Sequence, residues 1–133
     1  MKILIIEDDF TSSRVLERML QKYGISDIAN NGNLGIQMFR TAFEAKEPYD
    51  LVCLDIMLPE IDGQEVLKEI RQIESDNNIF GSESVKVIMT TALDDNRNIM
   101  QAFRSQCEGY LVKPIIQAKL HQEVARLCNT TSK

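Results

Sequence analysis

Residues Asp50 to Gly63 read DLVCLDIMLPEIDG, and this stretch decides the fold. The apolar run Leu51, Val52, Cys53 and Leu54 is too short for a helix and suits a strand covered on both faces. It ends on a carboxylate, Asp55. In open parallel sheets ligands collect in the crevice beyond the carboxyl ends of the strands, so an acid at that point is a site candidate by position. Pro59 and Gly63 bound the loop that follows. Behind it Val66, Leu67, Ile70 and Ile73 form the apolar stripe of a helix.

The same alternation of strand and helix extends outward in both directions. Upstream, Lys2 to Glu7 is another buried-strand run and closes on the triple acid Glu7, Asp8 and Asp9. Thr11 or Ser12 is expected to cap a helix carrying Leu16, Met19, Leu20 and Tyr23 on one side, with Gly24 as its stop. A short second strand fits Ser26 to Asn30. The Asn31-Gly32 turn then releases a helix whose inner side bears Ile36, Phe39, Ala42 and Phe43, and Pro48 marks its end.

Downstream, the polar segment ESDNNIFGSES, Glu74 to Ser84, reads as a long loop whose start can prolong the preceding helix. Strand four is expected at Val85 to Thr90, rich in β-branched residues, and it delivers Thr91 and Ala92 to the carboxyl edge. Asp94 is expected to cap a fourth helix with Ile99, Ala102 and Phe103 on its inner side. Gly109 to Val112 is a fifth strand ending at Lys113-Pro114, and Ile116, Leu120, Val124 and Leu127 stripe the last helix. No repeat or linker divides residues 1–133, which read as one domain. The pattern predicts an α/β fold: a five-stranded parallel sheet, doubly wound in the flavodoxin-like manner, with right-handed crossovers and helices on both faces.

Composition narrows the functional classes. A chain of 133 residues with 44% hydrophobic content can bury a sizeable core. Its net charge of -5 argues against nonspecific binding to nucleic acid or an anionic membrane. No apolar run is long enough to span a bilayer, and the opening segment is too brief for a signal peptide; both features favour the cytoplasm. Cys53, Cys107 and Cys128 show no metal-ligand spacing and read as buried or incidental thiols. His121, the one histidine, lies in the last helical pattern and reads as an ordinary helix residue.

Five polar residues scattered along the chain, Asp8, Asp9, Asp55, Thr91 and Lys113, are brought by this topology to one sheet edge. Carboxylates gathered in a small volume repel one another unless a cation sits among them, and hard oxygen donors suit magnesium. Lys113 can neutralise an incoming anion, and the Thr91 hydroxyl can donate to it. The constellation reads as a phosphoryl site built on a carboxylate nucleophile. Glu7 reads as a structural or solvated acid.

Glu7-Asp8-Asp9 after strand one, Asp55 with Met57-Leu58-Pro59 and Asp62-Gly63, Thr91-Ala92, and Lys113-Pro114 together resemble the receiver domains of two-component response regulators. The resemblance covers about residues 2–128, and the size is that of the single-domain, chemotaxis-type regulators. It implies that Asp55 takes a phosphoryl group from a histidine kinase or histidine phosphotransfer protein and holds it as an acyl phosphate. It further implies magnesium bound by Asp9, Asp55 and the Met57 backbone carbonyl, with Asp8 acting through water. Lys113 would pair with the phosphoryl group, Thr91 would move toward it, and Tyr110 would be the aromatic switch. The output surface would be the fourth helix, the fifth strand and the last helix, contacting a downstream protein target that the sequence does not name. By this reading the chain is not an enzyme beyond its own phosphorylation and dephosphorylation. Neither direct nucleic-acid binding nor membrane insertion is expected, and phosphorylation-dependent dimerisation stays open.

Rival readings exist. A haloacid-dehalogenase-type phosphatase would need an aspartate where Met57 stands. A flavin carrier would need a phosphate-binding loop where the acids follow strand one. A receiver-shaped binding module working without phosphorylation, or a receiver excised from a larger regulator, is the stronger alternative.

Overall fold

The computed structural model describes residues 1–92 and 107–128. In chain order the elements are β1 (Lys2–Ile6), α1 (Phe10–Leu20), β2 (Ile25–Ala29), α2 (Gly32–Glu44), β3 (Leu51–Asp55), α3 (Gly63–Asp76), a 3-10 turn (Gly81–Glu83), β4 (Lys86–Thr91), β5 (Gly109–Val112) and α4 (Gln117–Cys128). The strands form one parallel sheet in the order β2-β1-β3-β4-β5. The chain steps from β1 outward to β2, then crosses back to β3 on the other side of β1. The crevice of a doubly wound sheet opens at that reversal, beyond the carboxyl ends of β1 and β3.

The continuous apolar runs are explained by what each strand faces. Successive strand residues point to opposite sides of a sheet. Leu4, Ile6, Val52, Leu54, Val87 and Met89 therefore pack on one side with Ile36 and Phe39 of α2 and Val66, Leu67 and Ile70 of α3. Ile3, Ile5, Leu51, Cys53 and Ile88 pack on the other with Leu16 and Leu20 of α1 and Leu120 and Val124 of α4. Each central strand is thus apolar at every position while its ends carry the polar residues. His121 belongs to the second layer, where a ring nitrogen lies 2.9 Å from the Met19 carbonyl and the ring meets Tyr23 edge-on.

Several sequence-based expectations are corrected. Neither Thr11 nor Ser12 caps α1; Asp9 does, its side chain accepting from the Ser12 N–H, so the helix starts at Phe10. β2 runs from Ile25 to Ala29, and β4 ends on Thr91. The segment from Glu74 does prolong α3 at its start, as far as Asp76, before the loop begins, and Glu74 itself is buried. Ile116 precedes α4 and is exposed rather than part of its inner stripe. Asp94, Ile99, Ala102 and Phe103 of the expected fourth helix lie outside the described residues. The Lys113-Pro114 peptide bond is cis.

Candidate functional site

At the carboxyl edge three backbone features aim the acids inward. The Glu7 N–H donates to the Ala29 carbonyl at 3.0 Å, which extends the β1–β2 pairing one residue past the strand. This turns the Glu7 side chain into the crevice, where it is buried. Asp55 closes β3, and the next amide, of Ile56, donates to the Thr90 carbonyl at 2.9 Å. Gly63 then returns close to the strand end: its N–H donates to the Ile56 carbonyl at 2.9 Å, and a β-carbon there would meet the Asp55 carbonyl and the Ile56 Cα.

Asp55 is only 4% exposed, so its carboxylate needs partners. The Met57 N–H donates to its Oδ1 at 3.0 Å, and the Lys113 ammonium lies 3.2 Å from Oδ2. Lys113 also lies 2.8 Å from Glu7 Oε1, so one ammonium bridges two nearly buried carboxylates. Burial opposes the Lys113 charge, but hydrogen bonding to Glu7 and the charges of Asp55 and Glu7 outweigh it and raise its pKa. Burial, opposed by Lys113 and reinforced by the Asp55 charge, raises the Glu7 pKa.

The acids that converge differ by one residue from those the sequence favoured. Glu7, Asp8 and Asp55 each bring one carboxylate oxygen within 4.8 Å of the others, whereas Asp9 is spent on the α1 cap. The Asp9 N–H also donates to Glu7 Oε2 at 3.1 Å, so Asp9 supports the cluster through its backbone. Hydrogen bonding from Ser12 holds the Asp9 pKa below the usual aspartate range. The signal that identifies Asp9 as the cap is its place immediately before the helix, where Asp is at least as strong an N-cap as the downstream hydroxyls. Three hard oxygen donors converging in one small volume fit a divalent cation of the magnesium type.

Thr91 ends β4 fully buried, and its hydroxyl donates to the Ala92 carbonyl at 3.3 Å. The Thr91 carbonyl accepts from the Lys113 N–H at 2.7 Å, which ties the ends of β4 and β5 together beside the acids. Tyr110, in β5, is part-exposed, and Met57 is exposed at the rim. The cysteines are free thiols; burial pushes the Cys53 pKa up to about 12.

The chain matches the model of the response regulator receiver domain over residues 3–125. It belongs to that family. The receiver is 34% identical over 128 residues to the probable transcriptional regulatory protein SilR of Salmonella typhimurium, with 96% of this chain and 50% of SilR aligned. It is 30% identical over 129 residues to the osmosensing histidine protein kinase SLN1 of Saccharomyces cerevisiae, with 96% of this chain and 10% of SLN1 aligned. The receiver therefore spans half or less of the length of these relatives. Among solved structures, the receiver domain of Saccharomyces cerevisiae Ssk1, crystallised with the histidine phosphotransfer protein Ypd1, superposes with a TM-score of 0.80 at 25% identity, covering 96% of this chain and 88% of that one. A putative response regulator from Chloroflexus aurantiacus gives 0.80 at 26% identity, covering 96% and 97%. This homology assigns the chain to the phosphoacceptor modules of two-component signalling. Among the described residues no helix is long and apolar enough to cross a membrane.

Proposed function

We propose that Asp55 is the phosphoacceptor and that a histidine kinase or histidine phosphotransfer protein is the donor. One observation carries this reading: a buried carboxylate at the β3 end faces an ammonium at 3.2 Å and shares its crevice with two further acids. An Asp55 oxygen attacks phosphorus, the nitrogen–phosphorus bond to the donor histidine breaks, and the electron pair returns to the imidazole. The product is an acyl phosphate on the receiver.

The other residues position and compensate charge, which is most of what a phosphoryl transfer requires. The Met57 N–H fixes the Asp55 rotamer. Lys113, held by Glu7 and Asp55, would turn its charge to the incoming phosphoryl oxygens. Magnesium held by Glu7, Asp8, Asp55 and the Met57 carbonyl would supply the further positive charge that draws those oxygens to the acceptor. After transfer, Thr91 would exchange its bond to the Ala92 carbonyl for one to the phosphoryl group. Tyr110 would turn inward, shifting the population of the surface around β5 and α4 toward the partner-binding state. The Ypd1-bound receiver of Ssk1 and the kinase SLN1 support this donor class, and the setting would be the cytoplasm.

The test is incubation with acetyl phosphate, with and without magnesium, followed by intact mass. One added phosphoryl group that requires magnesium and vanishes in Asp55→Asn is the expected result. A folded, magnesium-binding chain that takes up no phosphoryl group would favour a binding module working without phosphorylation.

A further inference from the structure

The strand that delivers Lys113 is the shortest of the five described strands. β5 has four residues, Gly109–Val112, and among the described residues it lies at the sheet edge and pairs only with β4. It begins with a glycine, and its second residue, Tyr110, is part-exposed. At its Lys113 end the Lys113 N–H donates to the Thr91 carbonyl and the ammonium pairs with Glu7 and Asp55. The register of so short an edge strand has to be fixed by something besides its own packing.

What fixes it lies one residue before the strand. Every polar group of Glu108 is taken. Its N–H donates to the Val87 carbonyl at 3.0 Å, and its carbonyl accepts from Arg126 of α4 at 3.2 Å. Its carboxylate accepts the Val87 N–H at 2.7 Å, so the side chain substitutes for a strand neighbour. Arg71 of α3 then grips both carboxylate oxygens, at 2.8 and 2.9 Å. The same guanidinium donates to the Val85 carbonyl at 2.9 Å and to Glu74 at 2.8 Å, while Glu74 accepts the Val85 N–H at 2.6 Å. Arg71 is largely buried, and its two terminal nitrogens divide the work: Nη2 reaches both Glu108 oxygens while Nη1 reaches Glu74 and the Val85 carbonyl, which fixes the guanidinium between the three. One arginine thus locks the start of β5 to the start of β4 and to the last turns of α3.

We infer that Arg71 is a positioning residue for phosphoryl transfer, setting Lys113 by holding Glu108 at the other end of β5. A strand transmits such a constraint because it is inextensible: fixing Glu108 fixes where the chain stands at Lys113, five residues on. The inference rests on Asp55 being the acceptor. Since β5 brings Lys113 and none of the three acids, Arg71 sets the rate of acceptance while magnesium binding depends on β1 and β3.

The experiment uses the full chain and the variant Arg71→Met, with urea unfolding to establish that each sample is folded. The rate of phosphoryl uptake from acetyl phosphate is followed by intact mass, and magnesium affinity is measured separately by calorimetry. A rate lower by about tenfold, with magnesium affinity unchanged or tighter, is expected, since displacement of a charge by on the order of 1 Å is costly to such a step. Arg71→Lys, which retains charge but has no second nitrogen to hold Glu74 and Val85 while it meets Glu108, should fall between. Parallel loss of rate and magnesium affinity would show general loosening and overturn the inference, as would a rate that does not fall. If Arg71→Met does not fold, Glu108→Gln, which keeps shape and removes the charge Arg71 grips, carries the same two measurements. Absence of uptake in the unsubstituted protein would instead overturn the Asp55 assignment.

Discussion

At the scale of single residues, the site turns on how three consecutive acids divide their work. Glu7 continues the strand and is buried, Asp8 joins Glu7 and Asp55, and Asp9 caps α1. Replacing Asp8 by Asn removes a charged donor from the cluster and should weaken magnesium binding by at least about tenfold, as measured by calorimetry. Replacing Asp9 by Asn should leave that affinity within about twofold, because Asn caps a helix nearly as well as Asp. A stronger loss at Asp9 than at Asp8 would reverse the division of labour. The same pair of proteins separates the cap by pH. The folded-state pKa of Asp9 is lowered, so its ionised form stabilises the fold above the ordinary aspartate range, and this contribution is lost as pH falls through the lowered value. The stability difference between the original and the Asp9→Asn protein should therefore be constant near neutrality and shift against the original below about pH 4. Thermal melts across that range measure it.

At the scale of elements, the loop from β3 to α3 is the most constrained connection in the crevice. Asp62 caps α3 by accepting from the Glu65 N–H at 3.0 Å, and Gly63 follows where only a hydrogen fits against the Asp55 carbonyl and the Ile56 Cα. Those neighbours are backbone, which cannot swing aside as a side chain could. Gly63→Ala should therefore cost about 1–3 kcal/mol in urea unfolding, the range for forced overpacking. It should also slow phosphoryl uptake, because relief requires moving the strand end that carries Asp55. A mutant of unchanged stability and rate would mean that the loop yields more easily than its contacts imply. Element boundaries were the part of the fold least legible in sequence, and each miss has a local cause. The α1 start was displaced because three capping-competent residues, Asp9, Thr11 and Ser12, fall within four positions. The end of α3 stayed open in the sequence because Glu74, which looks like loop composition, is held by Arg71 one turn back and by Val85 farther along the chain. Burial of a charge through a nonlocal partner leaves no periodicity to read, and the same applies to the pairing of Arg71 with Glu108.

At the scale of the whole molecule, the topology was legible because it follows from the two-faced burial of the strands, which leaves uninterrupted apolar runs with polar ends. Asp55 and Lys113 were legible for the same reason: each stands at the first polar position after such a run. What could not be read was their mutual geometry, since an ammonium bridging Glu7 and Asp55 depends on β1, β3 and β5 arriving at a common edge. That dependence yields a consequence for stability. Glu7 and Asp8 on one strand end and Asp55 on another are far apart in the unfolded chain and within 4.8 Å of one another, oxygen to oxygen, in the fold. A divalent cation that needs all three binds the folded state alone, so its binding free energy adds to folding stability. At magnesium concentrations about 100 times its dissociation constant the gain should be about 2.7 kcal/mol, which for a chain of this size raises the melting temperature by on the order of 8 °C. Asp55→Asn should lose most of that increment, and choline chloride at equal ionic strength should not reproduce it. A rise that survives Asp55→Asn would place the cation elsewhere on this acidic surface. A rise that choline reproduces would reduce the effect to screening of the net negative charge.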